Sequence, residues 1–354
     1  MRAPLCPLRV AAFLLVAICG GVSADEICVS TGEELAQALA LTSTNGFDNS
    51  IHVVAGSIVL PSTAYGYAQT GNHDLDIEGG WTPGCTAQSH DAALTVLDGA
   101  AAGDARMSLF TYAAGNVTVR YLTFAHYSSP SGVLLLEAAN NGNGDLRIEN
   151  CLFTSNAASA SGNIVAALND TGGSGAVYFL DNAIIDNVAS GQRSVVLLQG
   201  GSGGSTCSLC VNNNTVSGNA LGESSPGAVQ ISYPNSAKTY LANNVLWGNG
   251  GTDLNVYGNS NIHPTLFNND IGTENGTTPA SASAGNISSD PQFVSAAHGD
   301  YRLQFDSPVR DAGTNSPPGT IRSFDVLGTA RIDGVAVDMG AYEYHENIFA
   351  DGFQ

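Results

Sequence analysis

The sequence predicts an all-β solenoid, closed by a helix at its N-terminal end and by a small β module at its C-terminal end. Three observations carry that prediction. The first is a repeat. "LRIENCLFTSN" begins at Leu146, "VYFLDNAIIDN" at Val177, "LCVNNNTVSGN" at Leu209, "TYLANNVLWGN" at Thr239 and "PTLFNNDIGTE" at Pro264, and an earlier version, "VTVRYLTFAHY", begins at Val117. A residue pair in the middle of each copy serves as reference. Its first member is Tyr121, Asn150, Asp181, Asn213, Asn243 and Asn268, at steps of 29, 31, 32, 30 and 25 residues. Its second member is Leu122, Cys151, Asn182, Asn214, Asn244 and Asn269. A period of this length built from strands means stacked coils. The second observation is that the flanking columns are apolar in register: Val119, Ile148, Phe179, Val211, Leu241 and Leu266 before the pair, and Phe124, Phe153, Ile184, Val216, Leu246 and Ile271 after it. A third apolar run, read as a third strand after a loop, follows at "VLLLEA" from Val133, "IVAAL" from Ile164, "VVLLQ" from Val195 and "AVQIS" from Ala228. The third observation is composition. Only 12% of the 354 residues are charged and 42 are glycine, which fits short strands joined by tight turns.

Taken from the N-terminus, "MRAPLCPLRVAAFLLVAICGGVSA" places Arg2 and Arg9 ahead of an apolar run and ends on small residues, so residues 1–24 read as a cleaved secretory signal. The run is too short to span a bilayer comfortably, and no later stretch looks transmembrane. Residues 25–50 hold the cap and a linker. In "STGEELAQALA", Ser30 or Thr31 can cap a helix, Glu33 or Glu34 can complete a capping box, and Leu35, Ala38 and Leu39 share one face that would close the apolar core. Coils are expected over 51–289. Stacked strands lie about 4.8 Å apart, so equivalent asparagines form a column in which each carbonyl accepts from the next amide. Asparagine also tolerates the left-handed backbone of a sharp corner. Asn150, Asn182, Asn213, Asn214, Asn243, Asn244, Asn268 and Asn269 are therefore assigned a structural ladder, with Asp181 as a plain stand-in for asparagine. "TENGTTPASASAGNISSD", residues 273–290, reads as a loop. A compact module is expected over 290–344 and a tail over 345–354.

After signal cleavage five cysteines remain, and an exported chain meets an oxidising compartment. The expected pairs are Cys28 with Cys85, tying down the N-terminal end, and Cys207 with Cys210, leaving Cys151 free. A zinc site would want a second Cys pair or a His pair near Cys207, and neither is present.

These columns resemble the right-handed parallel β-helix, the pectin-lyase-like fold with its asparagine ladder, over about Ile51 to Ile271 and through "LDIEGGWTPGC" and "TVLDGAAAGD" upstream. In the C-terminal region, Asp290-Pro291-x-Phe293, Tyr301-Arg302-Leu303, Ser307-Pro308-x-Arg310-Asp311-x-Gly313, Asp325, Arg331 and "DMGAYE" from Asp338 closely resemble the choice-of-anchor Q domain. That resemblance implies a secreted or surface-held bacterial protein with no assigned chemistry. The ending "HENIFADGFQ" resembles the Ile-Phe-x-Asp-Gly-Phe ending of some exported proteins, and export or anchoring machinery is the expected reader of that tail.

Net charge is −20 with one lysine, Lys238, which argues against nucleic acid and anionic lipid as partners. A lyase of this fold needs clustered carboxylates, a bound cation and a nearby Arg or Lys base. Arg147, Arg193 and Lys238 occupy different positions in their coils. A hydrolase needs two carboxylates about 5–9.5 Å apart, and the nearest set is Glu149, Asp181 and Asp186. The Asp-Asp, Gly-His-Gly and Arg-Ile-Lys motifs of the pectin hydrolases are absent. Neither His126 nor His263 has a second His at ligand spacing, and Asp325, Arg331, Asp338 and Glu343 are expected to pair with one another rather than hold calcium or sugar. No catalytic, cofactor-binding or metal-binding residue is assigned. The expected role is a non-enzymatic, exported or surface-associated scaffold, extracellular, outer-membrane-associated or periplasmic, that binds polysaccharide or another cell-surface component. The alternative is a polysaccharide lyase or glycoside hydrolase.

Overall fold

A computed structural model describes residues 25–60, 65–99, 106–159, 161–170, 172–202, 206–233, 238–258, 263–276, 280 and 282–346. The expected signal segment and most of the tail lie outside these residues. Among those described, strands stack into parallel sheets of nine, eight and eight strands, a short fourth sheet of four, and a two-stranded antiparallel pair near the C-terminus. The chain is a parallel β-helix. Equivalent residues of successive coils sit directly opposite one another: Ile148 pairs with Val119 below and Phe179 above, and Phe179 with Val211 in turn. In the second sheet Phe153 lies between Phe124 and Ile184. The rings of Phe124 and Phe153 stack at 4.8 Å with 4° between planes. In the third sheet Leu136 lies between Leu109 and Ala167. All these side chains belong to one continuous buried core.

The N-terminal end is closed twice over. The helix Gly32–Thr42 begins at Thr31, whose hydroxyl accepts from the Glu34 backbone while the Glu34 carboxylate accepts from the Thr31 N–H. Leu35 and Leu39 are fully buried against the first coils. Ahead of it the strand Asp25–Val29, which the sequence pattern does not announce, pairs with Asn49–Val54 and adds a rung. A disulfide joins Cys28 to Cys85 across this end. A second disulfide joins Cys207 and Cys210, and Cys151 is a free thiol buried in the core, pushed up to about 12 by that burial.

At the other end the segment expected to be a loop still follows the coil. Ala284 bridges in parallel to Phe267, and Ile287 to Asp270. Polar composition hides these contacts because a terminal rung has a neighbour on one side only and needs little apolar surface.

Candidate functional site

From Tyr121 to Gly248 the coils share two corners, each made by a left-handed residue. The first corner uses Tyr121, Asn150, Asp181, Asn213, Asn243 and Asn268, with φ between 48° and 58°. The second corner, five residues on, uses His126, Ser155, Asp186, Gly218 and Gly248. The residue after each corner is buried, and where it is asparagine it builds a ladder. In the first ladder Asn214 Nδ2 donates to Asn244 Oδ1 at 2.9 Å, Asn244 to Asn269 at 2.8 Å and Asn269 to Asn286 at 2.8 Å. Asn182 donates to Asn214 at 3.1 Å, and the Cys151 N–H donates to Asn182 Oδ1 at 3.0 Å. Each amide also feeds a main-chain carbonyl one coil below, as Asn244 does to Val211 O at 2.8 Å. A second ladder runs through Asn156, Asn187, Asn219 and Asn249, with amide contacts of 2.7–2.9 Å, and ends on Asp253 Oδ1. Sequence reasoning missed this second column, although it is the last letter of four of the quoted repeats.

The first members of the reference pairs are a correction. The repeat assigns Asn150, Asn213, Asn243 and Asn268 to the ladder, but as the left-handed residues themselves they turn outward. One long contact, Asn243 to Asn213 at 3.4 Å, links them along the axis. They grip the C-terminal module instead. Asn150 donates to the carbonyls of Phe324 and Asp325 at 2.9 Å each. Asn243 exchanges hydrogen bonds with the Thr314 backbone at 2.7 and 3.0 Å, and Asn268 donates to Ala312 O at 2.9 Å. The module returns the contact: Gly340 N–H donates to Asn243 O at 2.6 Å, and Ala341 N–H to Thr215 Oγ1 at 2.9 Å.

Asp181 is also corrected. It is no stand-in for asparagine, because its Oδ1 lies 3.4 Å from Nε of Arg331, a module residue that is itself 1% exposed. Arg331 donates Nη2 to the carbonyls of Asp338 at 2.9 Å and Gly340 at 2.5 Å, and Glu343 Oε2 lies 3.8 Å from its Nε. Burial pushes the Asp181 carboxyl up to about 7 and the Glu343 carboxyl up to about 8, against the pull of Arg331 on both. Glu149, 1% exposed, sits with Oε2 3.2 Å from Arg322 Nη2 and Oε1 3.6 Å from Arg147 Nη1. Arg147 in turn donates to Asp145 at 2.9 Å and lies over the Tyr178 ring at 3.7 Å. One coil further down, Arg120 is paired with Glu78. Asp186, third of the candidate carboxylates, accepts from the Tyr301 hydroxyl at 2.6 Å. His126 lies 3.4 Å from Asp98.

The charges therefore converge rather than scatter, and they converge in a buried seam. Folding of the module against the coils adds Arg322 and Arg331, two bases far outside the repeat, to the carboxylates of the coils. Asp325 and Asp338 are spent on main-chain amides: Asp325 Oδ1 accepts from Leu327 and Thr329, and Asp338 Oδ2 from Tyr344 at 2.6 Å. No cluster of three or more His, Cys, Asp or Glu side chains suited to a metal occurs among the described residues. No described helix is long and apolar enough to cross a membrane.

Comparison of the sequence with protein families and with curated proteins finds no match. Among solved structures the chain is similar to pectate lyase Pel9A, at 12% identity over 92% of this chain and 98% of that one, with a TM-score of 0.31. At that score the likeness carries no argument, and the β-helix here stands on its own strand register.

Proposed function

We propose that the protein is a non-enzymatic β-helix scaffold, exported or held at a cell surface, which presents its long faces to polysaccharide or another surface component. One observation carries this reading: the carboxylates best placed for acid–base work are committed to holding the C-terminal module. Glu149 is shared between two arginines, Asp181 faces Arg331, and Asp186 holds Tyr301. A general acid or base must reach the proton it transfers, and Glu149 and Asp181, at 1% exposure, face arginines rather than an open groove. Two disulfides suit an oxidising compartment. Export or anchoring machinery remains the proposed reader of the C-terminal tail.

The test is to incubate the mature chain with polygalacturonate and other acidic polysaccharides and to follow unsaturated products and reducing ends. The scaffold reading expects neither to rise above a no-protein control. Turnover abolished by Glu149→Gln or Asp186→Asn would overturn it in favour of a carbohydrate-active enzyme.

A further inference from the structure

Where the module meets the second sheet, an open cavity of ≈ 400 Å³ is built from both parts. Trp247, Gly248 and Ser217 come from the coils, and Asp290, Gln292, Phe293 and Gln304 from the module. That volume falls within the range of small-molecule sites, about 300–1,000 Å³, and junctions of this kind are where such sites concentrate. We propose that this cavity binds one end or one unit of an uncharged saccharide, with Trp247 as its platform.

Four features point to that ligand. Trp247 is half-buried, with its main-chain carbonyl held by the Ser217 hydroxyl at 2.7 Å and its side chain packed against the cluster of Val245, Leu303 and Met339. A rigid indole offers an apolar face suited to the C–H face of a pyranose at low entropic cost. The polar groups around it are of the type that pair with hydroxyls. Asp290 uses Oδ1 to accept from Gln292 N at 2.9 Å, and Gln304 donates its amide to Phe293 O at 2.8 Å. Asp290 Oδ2 and Gln304 Oε1 are left to accept from sugar hydroxyls. The second-corner column also opens here: His126, Ser155 and Asp186 give way to Gly218 and Gly248. Gly218 is demanded by packing, since a Cβ there would lie 1.9 Å from the Tyr301 hydroxyl. Gly248 is not, since a Cβ there would meet nothing within 4 Å, so the space beside Trp247 is open. Finally, no Lys or Arg among the described residues lines the cavity and the chain carries −20, so an anionic sugar is disfavoured.

This inference deepens the scaffold reading by giving it a ligand class. The test titrates the full mature chain by calorimetry with cello-, xylo-, manno- and malto-oligosaccharides, and with oligogalacturonate as the anionic comparison. At least one neutral series should bind. Trp247→Ala should weaken it by about tenfold or more. Gly248→Asn keeps the left-handed corner that asparagine tolerates, keeps Trp247, and should weaken binding to the same extent by filling the space. Tyr257→Ala, at an aromatic ring exposed on the third sheet, should change nothing. The proposal is overturned if no neutral series binds, if both cavity variants bind as wild type does, or if oligogalacturonate binds more tightly than every neutral series. Sugar turnover would sink the scaffold reading and leave the cavity standing, so the two failures are distinct.

Discussion

Replacing Asn214 by alanine should be far more damaging than replacing its neighbour Asn213 by glycine, although both side chains are fully buried. Asn214 Oδ1 accepts from the Asn182 N–H at 3.0 Å and from the Asn182 amide at 3.1 Å. Its Nδ2 donates to Asn244 Oδ1 at 2.9 Å, Phe179 O at 2.8 Å and Asn212 O at 3.0 Å. Truncation orphans the buried Asn182 N–H, which costs about 1–3 kcal/mol. It also removes the donor that ties Phe179 and Asn212 together between coils, at about 1 kcal/mol net for each lost bond. Asn244 Oδ1 keeps the Asn214 backbone N–H at 3.0 Å and is spared. The sum is about 3–5 kcal/mol for Asn214→Ala. Asn213→Gly keeps the corner at φ 56° and loses two long contacts of 3.4 Å, one donated to Asp338 O and one accepted from Asn243 Nδ2, so about 1 kcal/mol is expected. Equilibrium urea unfolding followed by far-UV circular dichroism reads both. Equal losses in the two variants, or a loss under about 1 kcal/mol for Asn214→Ala, would refute an inward ladder that bonds coil to coil.

Three further outcomes are expected. Cys28→Ser removes a disulfide spanning 57 residues and should cost about 2–5 kcal/mol, read as a lowered melting temperature under non-reducing conditions; a melt unchanged from wild type would contradict it. Gly218→Ala forces a Cβ to 1.9 Å from the Tyr301 hydroxyl at φ 69°, so the Tyr301–Asp186 bond should break and stability fall by more than about 2 kcal/mol; a neutral effect in the same urea assay would count against the packing of the module on the second corner. Asp181 and Glu343 are raised to about 7 and about 8, above the unfolded carboxyl range of about 4. The native state holds the extra protons, so their contribution is fully present below about pH 4 and is lost as pH rises through 7 to 8. Module docking, followed by Trp247 fluorescence, should weaken from mildly acid to mildly alkaline pH, and strengthening over that window would show the sign to be wrong.

Much of this fold is readable in the letters. Val119, Ile148, Phe179 and Val211 share one spacing because they share one column, and periodicity reports columns well. The amides of Asn182, Asn214 and Asn244 are legible for the same reason. What periodicity does not report is direction. Asn213 and Asn214 are adjacent and chemically identical, yet one makes the left-handed corner and faces out while the other faces in. The second ladder is in plain view at Asn156, Asn187, Asn219 and Asn249, each preceded by a residue able to turn left-handed, but those residues vary from Ser155 to Asp186 to Gly218 and so do not look like a column. The seam is illegible for another reason. Arg331 is 150 residues from Asp181 in the chain, and no local pattern announces that a C-terminal module will fold back along the coils and supply the missing cation. The same distance hides the cavity at Trp247.

The claim on which the functional reading depends is that the buried charges fasten the module and perform no chemistry. Native-state hydrogen exchange in Arg331→Met addresses it. Protection should collapse at the amides of Gly340 and Ala341, which donate to Asn243 O and Thr215 Oγ1, and should persist at Asn182 and Asn214 in the ladder. Unchanged protection at Gly340 and Ala341, together with loss of a polysaccharide-cleaving activity seen in the wild-type chain, would contradict it.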